Sequence, residues 1–505
     1  MATSMTKRLR HTPFGFYGPG GGAWGQVPQP PRWFTTSVQA CGIYPFGVGT
    51  GRPVDGSPLG RDMQTGSAIC TDHDALYRAN IISSPSAFLF GLNGNGKSST
   101  AQTLLGGQVG RGLTPAIFDP IKGEHVPWIE SLGGTVFSIG PRARHQLNLM
   151  SPGPLGLAAK QIGGRVGAEL LVLARAKSID LVKLCVKINR GPQEPVTDIE
   201  ETAIEAIVDT ILERTGPNDL AVTADLLRAF EQTSELMLSR TGQPTREAFQ
   251  ERFRRLGETL RSLMTGQMGQ MLSGTSSVEF DPGNPGGFCF DTSSIGQGNT
   301  KLLSAAMLST WSLGMDAIDA HWELAQHELA REAEAYANGE RYEAKVRWGG
   351  YTSLTDEFWY PIRICEGMVD LVDGLSRTNR SVGTAELKIS HSPKDLLSLR
   401  NPDDREKAKG FIERSGLLML MALSREDLRD LARVRSLTPA EIDLVAGFNR
   451  ASSWKGHRRL KGAKGAPPGA GKVLLKISER VGIPVQMLRT ETQMRLHDTD
   501  NRYQQ

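Results

Sequence analysis

A chain of 505 residues with 39% hydrophobic and 22% charged side chains carries enough apolar material for two or three domains with cores of their own. Its formal net charge of +4 is too small to demand a nucleic-acid partner. The cysteines (Cys41, Cys70, Cys185, Cys289 and Cys365) lie far apart, which excludes a clustered zinc site or a disulfide framework and fits a reducing cytosol.

The chain opens on a basic stretch, Lys7-Arg-Leu-Arg10, but no apolar segment follows to make a signal peptide. No apolar run reaches the ~18–20 residues needed to cross a bilayer, so membrane association is expected to go through partner proteins. Residues 1–35 are rich in glycine, proline and aromatics, among them Phe14, Phe16, Tyr17 and Trp24. Such a segment builds no core alone and reads as a tail or as a docking arm.

Residues 36–82 alternate short apolar pieces with glycine and proline, which predicts short strands in a small β-layer. Ala87-Phe-Leu-Phe90 is a compact apolar run before a glycine-rich turn, the pattern of a buried parallel strand. Pro115–Phe118 and Gly134–Ile139 read as further strands, with a helix over His125–Leu132 between them. This alternation implies a parallel α/β sheet.

From about residue 155 to 275 the periodicity turns helical. Thr197-Asp-Ile-Glu200 is a capping box, Ile204, Ile207, Val208, Ile211 and Leu212 follow at helical spacing, and Gly216 is a plausible stop. Residues 302–338 form another long helical stretch. Strand patterns return at Tyr351–Thr355 and Ala385–Ile389, and Thr438-Pro-Ala-Glu441 opens a helix with proline at its first position. Residues 455–469 form a basic loop that includes Lys455, Arg458, Arg459, Lys461 and Lys464. Lys472–Ile477 and Ile483–Met487 read as closing strands. The reading divides the chain into an arm (1–35), a P-loop domain in two pieces (36–154 and 276–490), an all-helical insertion (155–275) and a tail (491–505).

Gly91-Leu-Asn-Gly-Asn-Gly-Lys97-Ser98 matches the pattern GxxxxGK(S/T). Its glycines allow a tight turn whose successive N–H groups point inward at phosphates. Lys97 would neutralise the β- and γ-phosphates of ATP, and the Ser98 hydroxyl would ligate Mg²⁺. The helix that follows adds the positive end of its dipole. The expected nucleotide-binding residues are Gly91, Leu92, Asn93, Gly94, Asn95, Gly96, Lys97, Ser98 and Ser99.

Phosphoryl transfer also needs an acidic group near the metal and a positioner for water. Asp119, Asp291 and Asp356 each end a strand-like run. Asp356-Glu357 is favoured because the pair supplies both roles, Asp356 at the metal's water shell and Glu357 polarising the attacking water.

These segments, in this order, resemble the conjugative type IV secretion ATPases of the TraC/TrbE type, within the HerA/FtsK superfamily. The likeness runs over roughly residues 40–490. It takes in Pro58-Leu-Gly-Arg61, the P-loop, Phe118-Asp-Pro-Ile-Lys-Gly-Glu124, Thr355-Asp-Glu-Phe-Trp359, Ser376–Gly383, Ile389–Leu396 and the closing strands. The resemblance implies a RecA-like parallel sheet flanked by helices and carrying an all-helical insertion. It implies an ATP- and Mg²⁺-dependent motor that works as a hexameric ring with membrane channel components, at the cytoplasmic face of the inner membrane.

Carried over by position, Asp356 is the Walker B acid and Glu357 the catalytic glutamate. Glu124 is a further acidic candidate. Arg377 and Arg380 match the family's basic motif, from which an arginine reaches across a subunit interface. Ser390-His391 stands where the family has a Thr-Gln sensor of the γ-phosphate, which makes His391 a departure from the pattern. Full-length relatives carry a sizeable domain ahead of the motor, so the expectation is that this domain is missing or sits on a separate chain, with a partner chain favoured. The competing readings are a translocase acting directly on DNA, through the basic loop, and a nucleotide-gated scaffold.

Overall fold

The structure, a computed structural model, describes residues 10–12, 15–17, 52–191, 193–215, 221–272, 274–275, 277–296, 298–364, 369, 383–399, 401–450 and 469–496. Arg377, Arg380, Gly216, the basic loop and most of the N-terminal arm lie outside these. The chain divides into two units, residues 1–52 and 53–505. In the first, β1 (Arg10–Thr12) and β2 (Gly15–Tyr17) form an antiparallel two-stranded ribbon.

The second unit is built on one 11-stranded sheet. Its strands are β3 (Pro58–Asp62), β4 (Ala68–Cys70), β5 (Ser86–Phe90), β6 (Thr114–Asp119), β7 (Thr135–Ser138), β8 (Phe288–Asp291) and β9 (Tyr351–Thr355). They continue with β10 (Thr384–Ser390), β11 (Leu417–Leu420), β12 (Lys472–Ile477) and β13 (Ile483–Met487). The spatial order is β4-β3-β13-β12-β11-β5-β10-β9-β6-β8-β7. From β11 to β7 every neighbouring pair is parallel; from β11 back to β4 every pair is antiparallel. The short strands β3 and β4 therefore extend the edge of the main sheet rather than forming a layer of their own, because β13 offers them a free edge.

Parallel strands are covered on both faces, and their sequences say so. Phe88 and Phe90 of β5 point into one core with Phe118, Phe358 and Trp311, while Ala87 and Leu89 point into the other with Leu104, Leu105 and Ile117. Phe88 and Phe90 stack at 5.2 Å, and Phe358 meets Phe88 edge-on at 5.6 Å. Burying each such side chain contributes about 1.5–3 kcal/mol.

The helix Lys97–Val109 packs against the second face. Between β7 and β8 the described residues form a series of helices from Gly153–Ile162 to Gly266–Leu272. Within this run Thr197 makes its capping box with Glu200 at the start of Asp198–Arg214. The helix Thr300–Ala337 is 38 residues long and lies beside β6. Thr438 caps Pro439–Gly447 as its pattern predicts. Among the described residues no helix is long and apolar enough to cross a membrane.

Candidate active site

Strand register assembles the site. Phe90 of β5 lies opposite Ser390 of β10, Lys388 of β10 opposite Thr355 of β9, and Thr355 opposite Phe118 of β6. The residues that follow these positions, Gly91, His391, Asp356-Glu357 and Asp119, therefore emerge together at the carboxyl ends of four adjacent strands. That edge is where parallel α/β sheets bind ligands.

The P-loop turns on two glycines in the left-handed region, Gly94 (φ 81°) and Gly96 (φ 87°). Gly91 tolerates no side chain either, since a Cβ there would come within 2.7 Å of Met421. Leu92 is anchored by its N–H to the Ala422 carbonyl at 3.1 Å. The Asn95 side chain donates back to the Leu92 carbonyl at 3.3 Å, and the Ser99 hydroxyl to Gly96 at 3.0 Å. Both side chains brace the loop.

Lys97 donates to Asn93 Oδ1 at 3.2 Å and to His391 Nδ1 at 3.0 Å. Burial lowers its pKa, against the pull of Glu357 and Asp356. Ser98 Oγ donates to Glu124 Oε2 at 2.5 Å. Glu357 sits at φ 50°, a left-handed conformation that costs a non-glycine residue about 1–3 kcal/mol and is concentrated at functional sites. Its N–H donates to Asp356 Oδ1 at 2.9 Å. Its Oε2 accepts from Trp359 Nε1 at 2.7 Å and faces His391 Nε2 at 3.0 Å, and its Oε1 lies 3.6 Å from Lys122 Nζ.

Glu357 is buried, which favours the neutral acid, but His391 and Trp359 outweigh burial and hold its pKa below the ordinary value. Asp356 is fully buried; His125, the Glu357 N–H and Lys122 together outweigh that burial and lower its pKa. His125 Nε2 faces Asp356 Oδ2 at 3.6 Å, an ion-pair distance rather than a hydrogen bond. Burial disfavours the charged ring, yet Asp356 and Asp119 together raise its pKa.

Asp119, in contrast, accepts the N–H groups of Gly123 (3.2 Å) and His125 (2.9 Å). Burial, helped by the charge of Asp356, pushes its pKa up to about 6. Its carboxyl thus folds the loop that presents Lys122, Glu124 and His125. Asp291 lies one strand further out and accepts the Ser293 N–H at 2.9 Å, away from the P-loop.

The arrangement fits a magnesium–triphosphate. The left-handed glycines make the N–H cradle, Lys97 is a buried cation at its mouth, and Ser98 and Asp356 are the residues that would hold the metal. Bound there, Mg²⁺ supplies charge neutralisation for the phosphate oxygens. Of the candidates read from the sequence, Lys97, Ser98, Glu124, Asp356, Glu357 and His391 come together. Lys122, His125 and Trp359 join them without having been singled out. The crowding of charge after Asp119, in Lys-Gly-Glu-His, was the signal for the first two.

No protein-family model matches the chain, and no curated protein does. Solved structures do. VirB4 of Thermoanaerobacter pseudethanolicus superposes with a TM-score of 0.59 at 17% identity, over 88% of this chain and 100% of that one. The chain has the fold of VirB4. The bacterial conjugative coupling protein TrwBdeltaN70, in complex with sulphate, matches with a TM-score of 0.46 at 11% identity, over 88% of this chain and 97% of that one. The plasmid coupling protein TrwB in complex with the GTP analogue GDPNP matches at 0.44 and 13%, over 88% and 97%. The VirB4 fold is the one that the resemblance to conjugative type IV secretion ATPases implies.

Proposed function

We propose that this chain binds and hydrolyses ATP with Mg²⁺ and energises a conjugative type IV secretion apparatus. One observation carries the reading: a P-loop lysine, a strained and buried glutamate and the side chain between them follow the ends of three adjacent parallel strands and lie within hydrogen-bonding reach. The loop amides and Lys97 take the phosphates, Ser98 and Asp356 hold the metal, and Glu357 accepts a proton from the attacking water. His391 faces the γ-phosphate position, and Glu124 keeps the Ser98 hydroxyl oriented until the metal arrives.

In this reading the helical residues 155–275 are an insertion on the motor, and residues 1–35 an arm for a partner chain. The motor assembles as a hexameric ring at the cytoplasmic side of the inner membrane, held there by channel components. Arg377 and Arg380 serve a neighbouring subunit's nucleotide.

Glu357→Gln tests this directly. The variant is expected to bind ATP as the parent does, to lose turnover by roughly 10²–10⁴-fold, and to accumulate as an ATP-bound ring in sedimentation. Turnover at the parental rate would remove Glu357 from the reaction. A monomer in saturating ATP would remove the ring.

A further inference from the structure

We infer that His391 and Trp359 form a latch that ties the P-loop lysine to the catalytic glutamate, and that triphosphate binding opens it. The inference rests on the ATPase reading above and adds a regulatory step to the same site.

The contacts form a chain with a direction. Lys97 is a donor only, so the His391 nitrogen that faces it, Nδ1 at 3.0 Å, accepts. The ring proton then sits on Nε2, which donates to Glu357 Oε2 at 3.0 Å. The same oxygen accepts from Trp359 Nε1 at 2.7 Å. Glu357 is only 3% exposed, and its other oxygen faces Lys122. One carboxylate oxygen thus carries both donors, and the base is held away from a water it would need to polarise.

Lys97 has three N–H bonds, of which Asn93 and His391 use two. A lysine that bridges a β- and a γ-phosphate needs two for the ligand, so one of the present partners must be released. Phosphate is the stronger acceptor because it is charged; Asn93 belongs to the same loop as Lys97 and moves with it, so His391, which follows a separate strand, is the partner given up. Once Lys97 leaves, nothing fixes Nδ1, and the ring is free to turn and carry its Nε2–H away from Glu357. Glu357 Oε2 then keeps the Trp359 donor alone and can turn toward a water only when a triphosphate is in place. His391 and Trp359 are positioning residues here, since neither exchanges a proton with the substrate.

The test compares His391→Ala, His391→Gln and Trp359→Phe with the parent, using ATP and a non-hydrolysable ATP analogue, with Lys97→Ala as control. Glutamine keeps an acceptor for Lys97 and a donor for Glu357, so it is expected to retain most of the turnover. His391→Ala and Trp359→Phe are expected to bind the analogue roughly 3- to 10-fold more tightly than the parent, because no latch contact has to be given up on binding.

The analogue alone is expected to shift the indole emission of the parent, with the shift absent in Trp359→Phe and in His391→Ala. Analogue binding no tighter in His391→Ala than in the parent, or a fluorescence shift that survives in His391→Ala, would overturn the latch. If Lys97→Ala turns over like the parent, the ATPase reading itself fails; if only the His391 and Trp359 variants match the parent, the latch alone fails.

Discussion

His125 is the side chain on which the acidic side of the site depends. It is fully buried against Asp356, a contact that no spacing rule in the sequence announces, because the two residues lie on different strands' exits. Its folded-state pKa is raised above the ordinary 6.5. A raised value means that the charged ring's contribution is complete below 6.5 and is lost as pH rises through the folded value. Asp119, raised to about 6, acts in the same direction, since the folded state again binds the proton more tightly than the unfolded chain. Asp356 and Glu357, both lowered, act oppositely and only in acid.

The metal-free protein is therefore expected to lose stability in urea melts as pH rises from the ordinary carboxylate range through about 6, from Asp119, and again above 6.5, from His125. His125→Gln is expected to be less stable at the acid end by roughly 1–3 kcal/mol and to show a flatter profile. Parallel profiles would contradict the account. Lys97, Ser98, Asp356 and Glu357 were read as one site because each sits in a short motif, and strand register brings them together. His125 and Trp359 were not, because they act through contacts that exist only once β6, β9 and β10 pair.

At the scale of elements, the unit that matters is β5, the P-loop and the helix Lys97–Val109. The helix is anchored at its far end by close approach to β3. Ser57 Oγ donates to the Leu104 carbonyl at 2.7 Å, and a Cβ on Gly107 would lie 2.4 Å from Ser57 Cβ. Gly107→Ala gains about 1 kcal/mol in helix propensity but overpacks this contact, at a cost of about 1–3 kcal/mol. The clash reaches the Ser57 Cα at 2.7 Å as well as its Cβ, so the backbone would have to move and the net effect is expected to be destabilising. A lowered denaturant midpoint with an unchanged slope would show it, and a raised midpoint would contradict it.

The strands that read clearly were those bounded by turn residues: β5 by its glycine loop, β9 by Gly350, β12 and β13 by Gly471 and Gly482. Strand β11 did not announce itself. Leu417-Leu-Met-Leu420 is a continuous apolar run of residues that also favour helices, and only its place between β5 and β12 makes it a strand.

At the scale of the whole molecule, the sheet order explains why distant segments share one site. The strand bearing His391 lies between the P-loop strand and the one bearing Asp356-Glu357, so the sensor position is forced to touch both. That order is long-range information: β10 enters the sheet some three hundred residues after β5, and periodicity cannot give the pairing. The parallel core was legible from the alternation of strands and helices. The antiparallel edge was not, because its short strands carry no signal of direction.

The claim that unites these scales is that the edge of this sheet holds a nucleoside triphosphate through Lys97. Calorimetric titration of the parent and of Lys97→Ala with ATP and Mg²⁺ measures it most directly. The loss of a charge-assisted contact of about 1.5–3 kcal/mol predicts binding roughly 10- to 100-fold weaker in the variant, with the fold intact by circular dichroism. Equal affinity for both proteins would contradict the account.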